Sequence, residues 1–428
     1  MLRKVLLALF FVGIVAGFVF GVPGILARLL NGHMDANYGS VVTWGLWVAA
    51  YIYFVGLSAG SFLISSLVFV FGLKRFEAIG RLAILTAIVT LLMALMSIGL
   101  DLGHLERAWH VFAWPNFGSP MAWMIWLYSA YMLLLFTEAY FLMRRDFYAA
   151  RAEPGVRGLL CRILSTGLGD ASPKSRARDG TVVRVLATIG VPLALNFHGG
   201  VGALFGVLAS RPMWHSGLYP ILFILSAIVS GGAAIAVLAY VYLHRDPRRP
   251  EILRSLGILV LGMVIFESLW EFAEIAVYLY GGMPSHTAPW RLILQGPFPL
   301  VFWLGQAGFG SLVPIILIAV GLKRRSIDAV ALGCVSIAVA FLTVRLNIVV
   351  PPMAVEEIRG LTGAYSSARI SASYLPSLME WQVMLFIVAV GGVLLLLGWR
   401  LLPLRVSDEP AAESGATASV KQPSIGSV

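Results

Sequence analysis

Ten apolar runs, each long enough to cross a bilayer, fill most of this 428-residue sequence. They lie near residues 5–29, 46–71, 80–101, 119–143, 182–208, 217–243, 253–281, 298–320, 326–349 and 381–403. A crossing helix needs about 20 apolar residues, and backbone in lipid must satisfy its own hydrogen bonds. The expected fold is therefore an all-α integral membrane protein with ten transmembrane helices. Only 12% of residues are charged, against about a quarter in an ordinary soluble chain. The first run follows Arg3-Lys4, as a signal peptide would. It is too long for a usual signal core and shows no small-x-small cleavage site, so a retained helix is expected.

The net charge of +10 is distributed as membrane topology rather than as a nucleic-acid stripe. Of the 31 Lys and Arg residues, 24 fall in one set of alternate loops and termini, nine of them between Arg144 and Arg184. The other side holds Arg28, Arg107, Arg211, Arg291, Arg345, Arg359 and Arg369. The positive-inside rule then puts both termini in the cytoplasm. Outside the helices lie a basic cytoplasmic loop over 144–181, with a short surface helix expected near Gly158–Leu164, and an Ala-, Ser- and Pro-rich tail over 406–428 that reads as disordered.

A faint repeat runs through the chain. Trp44 precedes the run containing GLSAGS (56–61), and Gly118-Ser119-Pro120 opens a later helix of that half. Trp214 precedes the run containing Ser230-Gly231-Gly232, with Gly296-Pro297 as its counterpart. Both halves start on the same side, so this predicts a parallel repeat of two four-helix bundles, helices 2–5 and 6–9, flanked by helices 1 and 10. The divisions are 1–45, 46–208, 209–349, 350–405 and 406–428.

Polar residues within the apolar runs carry the chemistry, because lipid makes them costly. Haem is the first class to weigh, and two haems need four helical histidines. Six of the seven histidines stand in loops or at helix ends, leaving only His198 well inside a span. Cys161 and Cys334 are too few and too far apart to ligate a cluster. Neither haem nor an iron–sulfur cluster is expected in this chain. Helix seven carries Glu267, Glu271 and Glu274 on one face, spanning roughly 10 Å. They read either as a proton path or as a structural network with Arg345 and Asn347, in which Arg345 pairs with Glu274 at similar depth. Glu138 is either a proton entry point or a carboxylate reaching for the interface, and His198 a quinone donor or a helix bridge.

The strongest cluster is the hairpin from Ser97 to Trp126 on the outer side. Asp101 and His104 are spaced i, i+3 and face the same way if the helix continues. Carboxylate and imidazole suit proton removal near neutral pH, and Arg107 would hold Asp101 ionised. Tyr51 would offer a hydroxyl beside an aromatic slot with Trp44, and Ser119 opens the next helix. The alternative is an interfacial loop with an Asp101–Arg107 pair and an aromatic belt.

Trp44-Gly45, Gly56-Leu57-Ser58-Ala59-Gly60, Asp101-Leu102-Gly103 and Gly118-Ser119-Pro120-Met121 resemble the NrfD-like family, the membrane subunits of polysulfide-reductase-type complexes. His198, Arg211-Pro212 with Trp214-His215, Arg345-Leu346-Asn347, and Tyr374-Leu375-Pro376-Ser377 with Glu380 extend the likeness. They point to its ten-helix branch, as in periplasmic hydrogenase, sulfite-reductase-associated and alternative complex III assemblies. The resemblance implies a subunit exchanging electrons between menaquinone or ubiquinone and a four-cluster ferredoxin-like iron–sulfur subunit on the outer face, which serves a catalytic subunit. It implies that Asp101 and Arg107 line the quinone pocket. Tyr51 stands where some polysulfide reductases have histidine, and His104-Leu105 where many relatives have Arg-Pro. Two other functions fit the composition. One is a proton-coupled transporter centred on Glu267, Glu271 and Arg345, which would call for broken helices that the sequence does not announce. The other is a structural anchor without a quinone site.

Overall fold

The computed structural model describes residues 1–165, 172–358, 360–364, 367 and 370–404. The expected tail, part of the basic loop, and Arg359, Arg369, Arg405 and Lys421 lie outside these residues. Among the described residues ten helices are long and apolar enough to cross a membrane, which makes the chain an integral, multi-pass membrane protein. They are α1 (Leu2–Asn31), α2 (Leu46–Phe69), α3 (Glu77–Asp101), α4 (Pro120–Ala150), α5 (Pro173–Gly206), α6 (Tyr219–Tyr242), α7 (Arg249–Gly281), α8 (Val301–Lys323), α9 (Ile327–Ala354) and α10 (Leu378–Leu401). The short surface helix forms at Val156–Leu164, and another, Pro284–Leu294, lies between α7 and α8.

Two helices depart from the expected pattern. α5 begins nine residues before its apolar run. Ser172 caps it by accepting from the Ser175 N–H at 3.2 Å, and Pro173 supplies a preset first turn. Arg144 of α4 then fixes that extension, reaching Asp179 at 2.7 and 3.0 Å and the Ser175 hydroxyl at 2.9 Å, all buried. α8 is not regular either. Its first twelve residues, Val301–Leu312, form a π-helix, a widened geometry that is rare and concentrates at functional sites.

Packing follows close backbone approaches. α2, α3, α4 and α5 pack in succession with α5 returning to α2, and α6 to α9 do the same with α9 returning to α6. The halves meet where α2 crosses α6. A side chain at Gly60 would run into the Ala227 carbonyl and one at Gly231 into the Gly60 backbone, so only glycine allows this crossing. At the end of the same contact Trp44 stacks on Trp214, 6.0 Å apart and 24° from parallel. Two of the marker pairs, Gly60 with Gly231 and Trp44 with Trp214, thus touch one another. α1 and α10 do not bracket the two halves separately. They pair with each other, Gly17, Gly21 and Gly24 lying against Gln382, Leu385, Phe386 and Ala389, and α10 packs on α3.

Candidate functional site

Two polar groups form inside this frame, one in each half. The first gathers around Asp101, at the end of α3. Leu102 is extended, at φ −63° and ψ 130°, so the helix does not continue to His104. That turn separates the residues expected to work together. His104, Glu106 and Arg107 lie exposed in the hairpin, with side chains 65%, 68% and 64% accessible. His104 Nδ1 is 2.9 Å from Glu106, and Arg107 Nε is 3.8 Å from the same carboxylate. The Glu106 backbone N–H and then His104 hold the Glu106 carboxyl below its ordinary value. Arg107 therefore does not pair with Asp101, which corrects the expected pair.

The charge near Asp101 is Arg28, from the last turn of α1. Arg28 is buried and donates to the carbonyls of Leu100 and Leu102, at 2.6 and 2.7 Å. It closes the free carbonyl end of α3, where a cation is favoured. Tyr38, in the loop after α1, faces Asp101. Burial, and then the Asp101 charge, keeps the Tyr38 hydroxyl well above its ordinary value, so it stays protonated.

A second carboxylate, Glu380 of α10, stands close by. Its oxygens accept from the N–H groups of Asn37 and Ser377, at 3.1 and 2.8 Å, and from the Tyr374 hydroxyl. The Tyr374 oxygen in turn accepts from the Leu46 N–H at 2.7 Å, and Trp47 Nε1 donates to the Glu380 carbonyl at 3.0 Å. Gly45 must be glycine, because a side chain there would strike Tyr374. Glu380 is thus saturated and ties the loop before α2 to α10. Asp101 is not saturated. Its Oδ1 is buried without a hydrogen-bond partner, and so is the Ser97 hydroxyl one turn below on the same face of α3. Buried polar atoms normally find partners, and unpaired ones mark strain or a functional site.

The other expected members sit apart. Trp44 is at the junction of the halves, edge-on to Phe205 at 5.7 Å as well as stacked on Trp214. Tyr51 lies on the α4 side of α2, within electrostatic reach of Tyr128. Ser119 opens α4, and its side chain makes no cap. Above them the hairpin aromatics pack on each other: Phe112 on Trp126 at 5.7 Å, Phe117 on Trp123 at 5.1 Å, and Trp109 on Trp114 at 5.5 Å.

The second group is a cavity of about 40 Å³ lined by Glu267, Glu271, Glu274, Gln306, Arg345 and Asn347. That is room for a few water molecules rather than a ring. Gln306, in the π-helical part of α8, donates to Glu271 and accepts from Asn347 at 2.7 Å. Arg345 is buried, donates to the Ser226 hydroxyl at 2.7 Å and lies 5.0 Å from the Phe223 ring. Its nearest acidic influence is Glu267, not Glu274. No carboxylate is within 4.0 Å of it among the described residues, which corrects the expected pair. His198 reaches the same place from α5, with Arg345 and His198 both beside Gly56 of α2. Glu138 of α4 is fully buried with both oxygens unpartnered, so it does not extend to the interface.

Arg28, Tyr38, Ser97, Ser226 and Gln306 were missed by sequence reasoning. Arg28 and Gln306 left a signal, as lone polar residues at the end and in the middle of apolar runs. Arg211, noted only as part of a motif, donates to the Pro352, Met353 and Val355 carbonyls at 3.1, 3.3 and 2.8 Å and closes the end of α9.

Known proteins share this arrangement of sequence. The chain is 35% identical over 394 residues to a selenate reductase subunit of Mesobacillus selenatarsenatis, covering 90% of this chain and 92% of that protein. It is 30% identical over 416 residues to a putative dimethyl sulfoxide reductase membrane subunit of Halobacterium salinarum, covering 92% and 91%. A third relative is the Hdr-like menaquinol oxidoreductase integral membrane subunit of Archaeoglobus fulgidus, 25% identical over 404 residues, 91% of this chain and 93% of the relative. The model of the polysulphide reductase family NrfD matches residues 32–355, from the loop that carries Tyr38 to the end of α9, and the chain belongs to that family.

Proposed function

We propose that this chain is the quinone-reactive membrane subunit of a respiratory oxidoreductase. It exchanges electrons between the membrane quinol pool and a four-cluster ferredoxin-like iron–sulfur subunit, which serves a catalytic subunit. Both partners dock on the hairpin side, the side opposite the basic loops. The positive-inside rule makes that the outer face of the cytoplasmic membrane, with both termini inside.

One observation carries the reading: of two neighbouring carboxylates, Glu380 has all its donors while Asp101 keeps a buried, unpartnered oxygen. Quinol oxidation releases two electrons and two protons, so the site needs a proton acceptor at a ring hydroxyl. Asp101 Oδ1 is that acceptor, with the Ser97 hydroxyl beside it as a second polar contact. Tyr38 stays protonated and faces the carboxylate, and Arg28 is the cation nearest to it. Electrons leave through the partner subunit, whose nearest cluster has to approach the hairpin. The exposed aromatics there are the surface on which it docks.

The decisive experiment is quinol oxidation by the purified complex carrying Asp101→Asn, with a quinone-site inhibitor titrated in parallel. Turnover at the wild-type rate in a fully assembled complex would remove Asp101 from the mechanism.

The second polar group supports a further reading. The cavity between α7, α8 and α9 joins three carboxylates to Gln306, Asn347 and Arg345, and His198 extends it toward the first half. With water inside, such a chain conducts protons, and quinol turnover is then coupled to proton movement across the membrane. The same cavity is where a transporter of this shape would hold its substrate. Uptake of a solute by proteoliposomes of this chain alone would favour that function instead.

A further inference from the structure

On the side of the basic loops a groove of about 440 Å³ opens between the end of α2, the start of α3, the last turns of α4 and the first turns of α5. Lys74, Arg145, Arg176 and Arg184 line it, and its carboxylates are Glu77 and Asp179. Asp179 is matched by the buried Arg144, with Arg178 approaching it from the rim at 4.0 Å. Apart from Arg176, the three basic side chains Lys74, Arg145 and Arg184 share the groove with one further carboxylate, Glu77. The Arg144–Asp179–Ser175 contacts fix α5 against α4, so the groove is held open by buried bonds rather than by surface loops. Arg145 is half-buried, and its Nε is buried without a hydrogen-bond partner.

The surroundings say what kind of anion fits. Val68, Phe69, Phe141, Leu142 and Val183 give the groove an apolar wall. Directly beyond Arg184, Val185 and Ile189 point outward on α5, 50% and 54% exposed, and Phe71 is 64% exposed at the α2 end. In a transmembrane helix these are lipid-facing positions, so the basic cluster sits at the level of the headgroups. The geometry points to a site for one anionic phospholipid. Its phosphate lies among Arg145, Arg184 and Lys74, and its acyl chains run along the Val185–Ile189 face. Guanidinium groups donate in pairs to phosphate oxygens, and basic pockets between helices at this depth recognise anionic headgroups. A free phosphate would use the same donors but leave the apolar wall unused.

The test is native mass spectrometry of the intact complex in detergent, with 1,2-dioleoyl phosphatidylglycerol and 1,2-dioleoyl phosphatidylcholine offered at equal concentration. One phosphatidylglycerol is expected to stay bound at about tenfold or more over phosphatidylcholine. The double variant Arg145→Gln/Arg184→Gln loses about tenfold in that retention, since each basic residue near an anionic headgroup contributes a factor of several. Arg145→Lys/Arg184→Lys keeps most of it, which separates lost charge from a disturbed fold. Equal retention of the two lipids would overturn the site, as would unchanged retention in the glutamine variant. Displacement by inorganic phosphate at the concentration of the lipid would overturn it too, by turning the groove into a site for a soluble anion.

Discussion

The two polar groups of this protein are built in opposite ways. Around Glu267 the side chains come from regular positions on neighbouring helices, i, i+4 and i+7 on α7 and i, i+2 on α9, converging on one small cavity. Around Asp101 they come from the edges of the bundle: the last turn of α1, the loop that follows it, and the segment leading into α10. In the first pattern helix periodicity aligns the three glutamates, and the packing of α8 and α9 brings Gln306, Arg345 and Asn347 to them. The second needs α1 and α10 to dock on each other and on α3, and it exists only once the chain has closed. A buried ionisable group in either place is expensive in lipid, so both are held for a purpose. Both leave buried polar atoms unpaired: Glu267 Oε2, two Arg345 nitrogens and the His198 ring in the first, Asp101 Oδ1 and the Ser97 hydroxyl in the second. What differs is where the side chains come from.

Substitutions at the two places should separate these roles. The largest effect is expected at Asp101: Asp101→Asn keeps size but removes the base, and quinol oxidation by the assembled complex should fall roughly 10²-fold or more. Steady-state assay with subunit stoichiometry measured alongside checks this. Arg28→Met comes next. It removes two buried charge-assisted hydrogen bonds from the end of α3, each worth about 1.5–3 kcal/mol, and should lower both thermal stability and turnover. A melting curve indistinguishable from wild type would mean that Arg28 does not hold the α3 terminus. Glu271→Gln should leave electron transfer largely intact while lowering the proton signal per electron in proteoliposomes; an unaltered signal would confine the α7 glutamates to a structural role. The smallest effects belong to the hairpin. His104→Ala and Arg107→Ala should stay within about twofold of wild-type turnover, because exposed ion pairs contribute little. A large loss at Arg107 would restore it to the quinone site and displace Arg28.

The contrast also explains which parts of the site were legible. Glu267, Glu271 and Glu274 are visible because their spacing places them on one face of α7, and Arg345 and Asn347 because they are polar residues inside an apolar run. Residue counting sets Arg345 level with Glu274, but it gives depth along a helix and not its rotation, and Arg345 instead lies nearer Glu267 without forming an ion pair. Asp101 stood out as a charge at the end of an apolar run, yet its partners did not. Sequence proximity suggested His104 and Arg107, three and six residues away, but the chain turns at Leu102 and carries them to the surface. The true neighbours lie 73 residues upstream at Arg28 and 63 upstream at Tyr38. Nothing local in either stretch announces the contact.

By itself the sequence determined ten apolar helices long enough to cross a membrane. These depend on the cost of polar groups in lipid and on a composition that every segment carries individually. Tertiary structure decided the rest. Gly60 and Gly231 let the two halves cross at their backbones, α1 and α10 closed over the end of α3, and a π-helical stretch turned Gln306 into the α7–α9 cavity. Each of those outcomes is a matter of which helix faces meet, and helix rotation and docking order are set by packing between distant segments.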